Sequence, residues 1–127
     1  MADIIYKELS YKICGLAFEV YKNLGYGLRE KVYGNAFELL LKREGLRYKR
    51  EIYYPVKIEG QIIAKNYFDF FVEDKVMIEL KCGEKDYYQA YDQLKNYLRL
   101  SKLQLGLIIR FTNKKVEVKR ILNGKQK

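Results

Sequence analysis

Apolar residues recur along positions 4–23 at Ile5, Leu9, Ile13, Leu16, Ala17 and Val20, with Lys and Glu between them, which lays one hydrophobic stripe along a helix. Gly25 stands where such a helix stops. A second helix is predicted over 28–44, with Val32, Ala36, Phe37, Leu39, Leu40 and Leu41 as its buried surface and Gly45 at its end. The period then shortens. Positions 46–58 are rich in Tyr, Ile and Val and read as a strand, in which Pro55 marks an edge or a bulge. Glu59-Gly60 turns the chain into a long strand over 61–72, and a returning strand over 76–82 completes a meander. Asp86 is placed to cap a third helix over 87–100, whose core face is Ala90, Tyr91, Leu94 and Leu98. The run QLGLIIRF at 104–111 is a strand buried on both faces, 115–122 is a weaker edge strand, and the chain from Asn123 reads as a frayed tail. The order ααβββαββ predicts an α/β fold, a mixed central sheet flanked by helices, formed as a single domain over residues 1–127.

One hairpin in this pattern carries ionisable residues where packing would not choose them. With Glu73, Asp74 and Lys75 as a three-residue loop, Val72 faces Val76, Phe70 faces Ile78 and Phe68 faces Leu80, and that face is wholly apolar. The opposite face carries Tyr67, Asp69, Phe71, Met77, Glu79 and Lys81, and the same register sets Asp69 across from Glu79. Like charges so placed destabilise a ladder, by roughly 0.2–1 kcal/mol for a cross-strand pair. A divalent cation held by both carboxylates would compensate, with Lys81 close enough to act on whatever the metal activates. The plainer alternative is a solvated strand face, and a two-residue turn would shift the register and remove the pairing.

Composition narrows the chemistry. The absence of histidine excludes Ser-His-Asp and Cys-His catalysis and argues against zinc, leaving a carboxylate set suited to Mg²⁺ or Mn²⁺. Lys and Arg number 25 against 16 Asp and Glu, a net charge of +9, so a polyanion is the natural partner. Nucleic acid fits better than a membrane, because the basic residues are spread along the chain and interleaved with 13 tyrosines. Cys14 and Cys82 lack metal-ligand spacing and read as reduced structural thiols. No apolar run reaches the roughly 20 residues of a membrane span, and MADIIYKELS has no signal-type block, so a cytoplasmic protein is expected.

Two helices hold further candidates. Glu30 lies on or beside the apolar stripe of the second helix, although an acid in a first turn also favours the helix dipole. Gln89, Gln93 and Tyr97 recur at four-residue intervals as a polar stripe on the third helix, a place where glutamine is usually just solvent-exposed.

These residues together resemble the GxxExxY proteins, a family within the PD-(D/E)xK nuclease superfamily. Gly27, Glu30 and Tyr33 match the name motif in GLREKVY; Asp69, Glu79 and Lys81 match the D…ExK signature; Gln93 and Tyr97 match the QxxxY element of the exonuclease-like branch; and GLIIRFTN is similar to the family's Gly-Leu-rich strand. Phe68 stands where a proline often precedes the aspartate, and Asp69 and Glu79 are only ten positions apart.

The resemblance implies a restriction-endonuclease-like core and hydrolysis of phosphodiester bonds by a metal-activated water. It implies Asp69 and Glu79 as metal carboxylates with the Leu80 carbonyl, Glu30 as a further ligand, Lys81 orienting or activating the water, and Gln93 with Tyr97 positioning water or phosphate. DNA is expected ahead of RNA, and a homodimer or a partner subunit would supply the surface that a small chain lacks. The rival expectation is a nucleic-acid-binding or protein-interaction module that keeps the fold without cleaving.

Overall fold

The computed structural model describes residues 5–124. The first apolar stripe folds as α1 (Lys7–Leu24), burying Ile13, Leu16, Ala17 and Val20. Gly25, at φ 67°, ends it with its N–H on the Tyr21 carbonyl, a left-handed turn that a side chain would strain. In α2 (Glu30–Arg43) the buried positions are Tyr33, Gly34, Phe37 and Leu41, a spacing of three and four. That stripe turns Val32 and Leu39 outward, so these two, expected in the core, are 40% and 66% exposed.

The strands are β1 (Tyr48–Ile58), β2 (Gln61–Val72), β3 (Val76–Cys82), β4 (Leu105–Phe111) and β5 (Val116–Leu122), with α3 (Tyr87–Ser101) between β3 and β4. They form one sheet in the order β1-β2-β3-β4-β5, and β3–β4 is its parallel pair. A parallel pair needs a crossover, which α3 supplies. Helices α1 and α2 cover one face, where Ile13 and Phe37 pack with Phe70, Ile78 and Ile109. Helix α3 covers the other, where Leu94 and Leu98 pack with Phe68, Met77 and Ile108. The result is the expected mixed sheet between helices, of restriction-endonuclease-like architecture. Strand β1 is an edge, with Pro55 in it and a register shift at Val56/Lys57.

Two ends differ from expectation. Asp86 makes no capping bond with its side chain and enters α3 in a left-handed conformation, φ 61°. Asn123 is no frayed residue: its buried amide donates to the carbonyls of Leu98 and Leu103, at 2.8 and 2.9 Å, and ties the end of α3 to the end of β5. The tail beyond Gly124 lies outside the described residues.

The feature that shapes the site is a fork. Strand β2 pairs with β1 along almost its whole length, but with β3 only at Phe70–Ile78, Phe71–Met77 and Val72–Val76. The loop Glu73–Lys75 therefore sets the expected register, and the ladder then stops short of the expected Phe68–Leu80 and Asp69–Glu79 pairs among the described residues. Phe68 and Phe70, two apart, pack on opposite faces of the sheet, so strand alternation breaks at Asp69. On β1, Glu51 lies between Arg50, which pairs with Phe70, and Ile52, which pairs with Phe68, and it takes φ 58°. The register is unchanged across Glu51, and the break is confined to β2, where the two-residue period had placed Phe68 with Phe70; β3 keeps its alternation, with Val76, Ile78 and Leu80 on the α1 and α2 side and Met77 on the other. Met77 is buried against α3. Beyond the fork β1 and β2 run on as a two-stranded arm, while β3 stays with β4.

Candidate active site

At the fork two carboxylates replace ladder bonds. The Asp69 N–H donates to Glu79 Oε1 at 2.9 Å, and the Leu80 N–H donates to Asp69 Oδ2 at 2.7 Å. Both strands thus keep their N–H groups satisfied while standing apart, and the acids that do this are held side by side. Glu79 is only 7% exposed. Burial, and then the charge of Asp69, push its carboxyl up to about 8. Burial raises Asp69 as well, with the charge of Glu30 adding to it and the Leu80 N–H opposing. Lys81 lowers both acids through its charge, yet among the described residues it makes no ion pair within 4 Å.

Glu30 is brought to this place by packing on either side of it. Gly27, at φ 111°, allows the turn into α2. Tyr33, fully buried, stacks on Phe111 with ring centroids 4.3 Å apart and donates its hydroxyl to the Gly25 carbonyl at 2.7 Å. Those contacts pin the start of α2 over the end of β3, where Glu30 Oε2 accepts the Cys82 N–H at 3.2 Å. Burial and the Glu30 charge push the Cys82 thiol up to about 11, and both cysteines are free thiols.

Glu30, Lys31, Gly34, Arg50, Glu51, Asp69, Phe70 and Leu80 line one cleft of about 290 Å³. Arg50 was not among the sequence candidates. It pairs with Glu38 at 2.8 Å and with Asn35 at 2.9 Å, and lies over the Phe70 ring at 5.3 Å. Its guanidinium passes so close to Gly34 that a Cβ there would sit 2.6 Å from Nη2. Nothing in the run RYKREIYY distinguishes Arg50 from its basic neighbours, because its place depends on a helix 15 residues away.

The model of a known protein family, the PD-(D/E)XK nuclease superfamily, matches residues 7–121. The chain belongs to the PD-(D/E)XK nuclease superfamily. No curated protein matches it. The crystal structure of SSO0001 superposes with a TM-score of 0.56 at 19% identity, over 73% of this chain and 49% of that one, a likeness of fold. The chain therefore spans about half the length of that structure. The crystal structure of an alkaline exonuclease from Laribacter hongkongensis overlaps 98% of this chain and 73% of its own at 12% identity. Its TM-score of 0.45 is too loose to bear on the site.

In this member of the PD-(D/E)XK nuclease superfamily the expected site residues are distributed as follows. Asp69 and Glu79 meet directly, Glu30 shares the cleft with Asp69, and Lys81 is within electrostatic reach of both acids. Gln93 is exposed on α3. Tyr97 leaves the polar stripe predicted for it: its ring is buried edge-on to Tyr54 at 4.4 Å and against Phe68 at 4.8 Å, and its hydroxyl meets Ser101. The helical spacing was legible, but α3 is rotated so that Tyr97 joins the core beside Leu94 and Leu98. Among the described residues no three Asp, Glu, Cys or His side chains gather as a metal-holding group. The donor set is a pair, two hard carboxylates packed together with no ion-paired cation among the described residues, and that pair fits an oxygen-preferring divalent ion.

Proposed function

We propose that this chain is a Mg²⁺- or Mn²⁺-dependent nuclease of the GxxExxY type, hydrolysing phosphodiester bonds of DNA. One observation carries the reading: a buried carboxylate, Glu79, and a half-buried one, Asp69, are forced together at the fork of the sheet, beside a cleft, where a fold selected only for stability would place neither. Asp69 and Glu79 would hold the ion, with the Leu80 carbonyl and Glu30 as further ligands. When bound, the ion supplies Lewis-acid polarisation of the phosphate and a more acidic water.

The chain's own groups do the rest. Lys81 orients the water and offsets charge developing on the phosphate oxygens. Glu30, which already accepts a backbone N–H at 3.2 Å, stands ready as a further ligand in the cleft it shares with Asp69. Gln93, exposed on α3, is available to the phosphate backbone, and Tyr97 acts by packing on Phe68 and so holding the neighbouring Asp69.

The test is calorimetric titration of Mn²⁺ together with cleavage of fluorescent single- and double-stranded DNA. Asp69→Ala and Glu79→Ala are expected to lose Mn²⁺ binding, and cleavage should fall by at least about a hundredfold, the scale of losing a metal's contribution. Variants that bind Mn²⁺ as well as the parent would sink the site. Salt-dependent retention of DNA without cleavage in the parent would point to a binding module instead.

A further inference from the structure

The arm beyond the fork has no role in the chemistry above, yet it carries an exposed aromatic pair. Ile52, Tyr54 and Phe68 turn toward the α3 side, where they pack with Met77 and Tyr97. Tyr53 and Tyr67, each adjacent to one of these, therefore point to the opposite side, the one on which α2 lies. They face each other across the ladder with ring centroids 5.1 Å apart and an interplanar angle of 37°. They are 43% and 60% exposed. The next pair outward on that side is Pro55 with Lys65, so the surface reads Tyr53, Tyr67, Pro55, Lys65, and the acid nearest along β1 is Glu51, at the cleft. It continues directly from the cleft, because Tyr67 is two residues, about 7 Å along the strand, from Asp69. Lys31 and Arg50 border the same cleft.

A two-stranded ribbon is marginal on its own, and two neighbouring tyrosine rings in water leave a large apolar area uncovered. The occupant that fits is set by chemistry and place. A polyanion that reaches Asp69 passes Lys31 and Arg50 at the cleft, and flat rings beside that path offer faces on which a nucleobase can stack. A base inside a duplex has both faces covered by its neighbours, so a platform of this kind selects unpaired bases.

We propose that Tyr53 and Tyr67 form a base-stacking platform for single-stranded DNA, placing the strand so that a phosphate next to the stacked base enters the cleft at Asp69. The inference rests on the nuclease reading for the location of the phosphate, while the platform itself is read from binding alone.

The test uses fluorescein-labelled oligothymidylate and a duplex of equal length, titrated in EDTA so that cleavage plays no part. Tyr53→Ala and Tyr67→Ala should each weaken the single strand roughly tenfold and the duplex little, as loss of one stacking contact predicts. Tyr53→Phe and Tyr67→Phe should bind as the parent does, since the ring and not the hydroxyl is used. Because both residues are exposed, unfolding midpoints of the Ala variants should stay at the parent value, and this separates lost stacking from lost fold. Ala variants that bind oligothymidylate normally overturn the platform, as does equal weakening of single strand and duplex. So does an Ala variant that changes a dimer into a monomer in sedimentation, which would make the face a contact between copies. A parent that binds and shows this pattern but never cleaves with Mn²⁺ would keep the platform and remove the nuclease reading.

Discussion

Glu79 carries a conflict that can be read as a pH dependence. Buried beside Asp69, it holds its proton up to about pH 8, whereas the unfolded chain releases it near the ordinary glutamate value of about 4.5. Between those values the folded state binds the extra proton, so the stability of the metal-free protein falls as pH rises through the window, by at most about 1.4 kcal/mol per pH unit. Melting curves in EDTA from pH 5 to 8 should show this decline. Glu79→Gln, which keeps an oxygen for the Asp69 N–H and removes the second charge, should flatten the curve and melt above the parent at pH 8. A parent whose midpoint does not change over the window would mean that the acids are solvated, as the plainer reading of the hairpin had it. The hairpin sequence already brought Asp69, Glu79 and Lys81 together. It did not disclose that each acid accepts a backbone N–H from the other's strand, because that bond exists only where the ladder fails.

The elements depend on one close contact of helix on strand. Helix α3 approaches β4 at Gly106, where a Cβ would lie 2.8, 2.9 and 3.1 Å from three atoms of Leu94. These are branched carbons of a fully buried side chain, with no room to retreat. Gly106→Ala should cost about 1–3 kcal/mol by overpacking, measured by chemical denaturation. Leu94→Ala alone should cost about 2–5 kcal/mol through the cavity it leaves. The double variant should cost less than the sum, since each change makes room for the other, and strict additivity would refute the contact. The run QLGLIIRF announced a doubly buried strand through its composition. Which helix residue needs the glycine was not legible, since Leu94 is 12 positions away.

Across the whole molecule the charge of +9 sets how substrate arrives. Among the groups nearest the cleft and arm, Lys31, Lys65 and Lys81 make no ion pair within 4 Å among the described residues, while Arg50 is engaged by Glu38. If those three lysines neutralise phosphates, the logarithm of affinity for single-stranded DNA should fall against log salt with a slope of roughly −2. Lys65→Ala should reduce the slope by about 0.7 and leave base preference unchanged. Affinity that ignores salt would show that the net charge serves solubility and not a polyanion. No helix among the described residues is long and apolar enough to cross a membrane.

By itself the sequence determined what local geometry controls. The periods of the three helices, the strand lengths, the three-residue loop at Glu73–Lys75 and the glycine stop of α1 follow from side-chain spacing and backbone preference within a few residues. Only the tertiary structure decided what distant segments impose on one another. The fork at Phe70, the break in alternation that sends Phe68 to the α3 side, the burial of Tyr97 and the entry of Arg50 into the cleft all arise from which strand pairs with which and which helix covers each face. A periodic pattern reports which residues share a face of one element. It cannot report where a ladder of hydrogen bonds will be abandoned in favour of two carboxylates, because that choice balances backbone pairing against buried charge across the sheet.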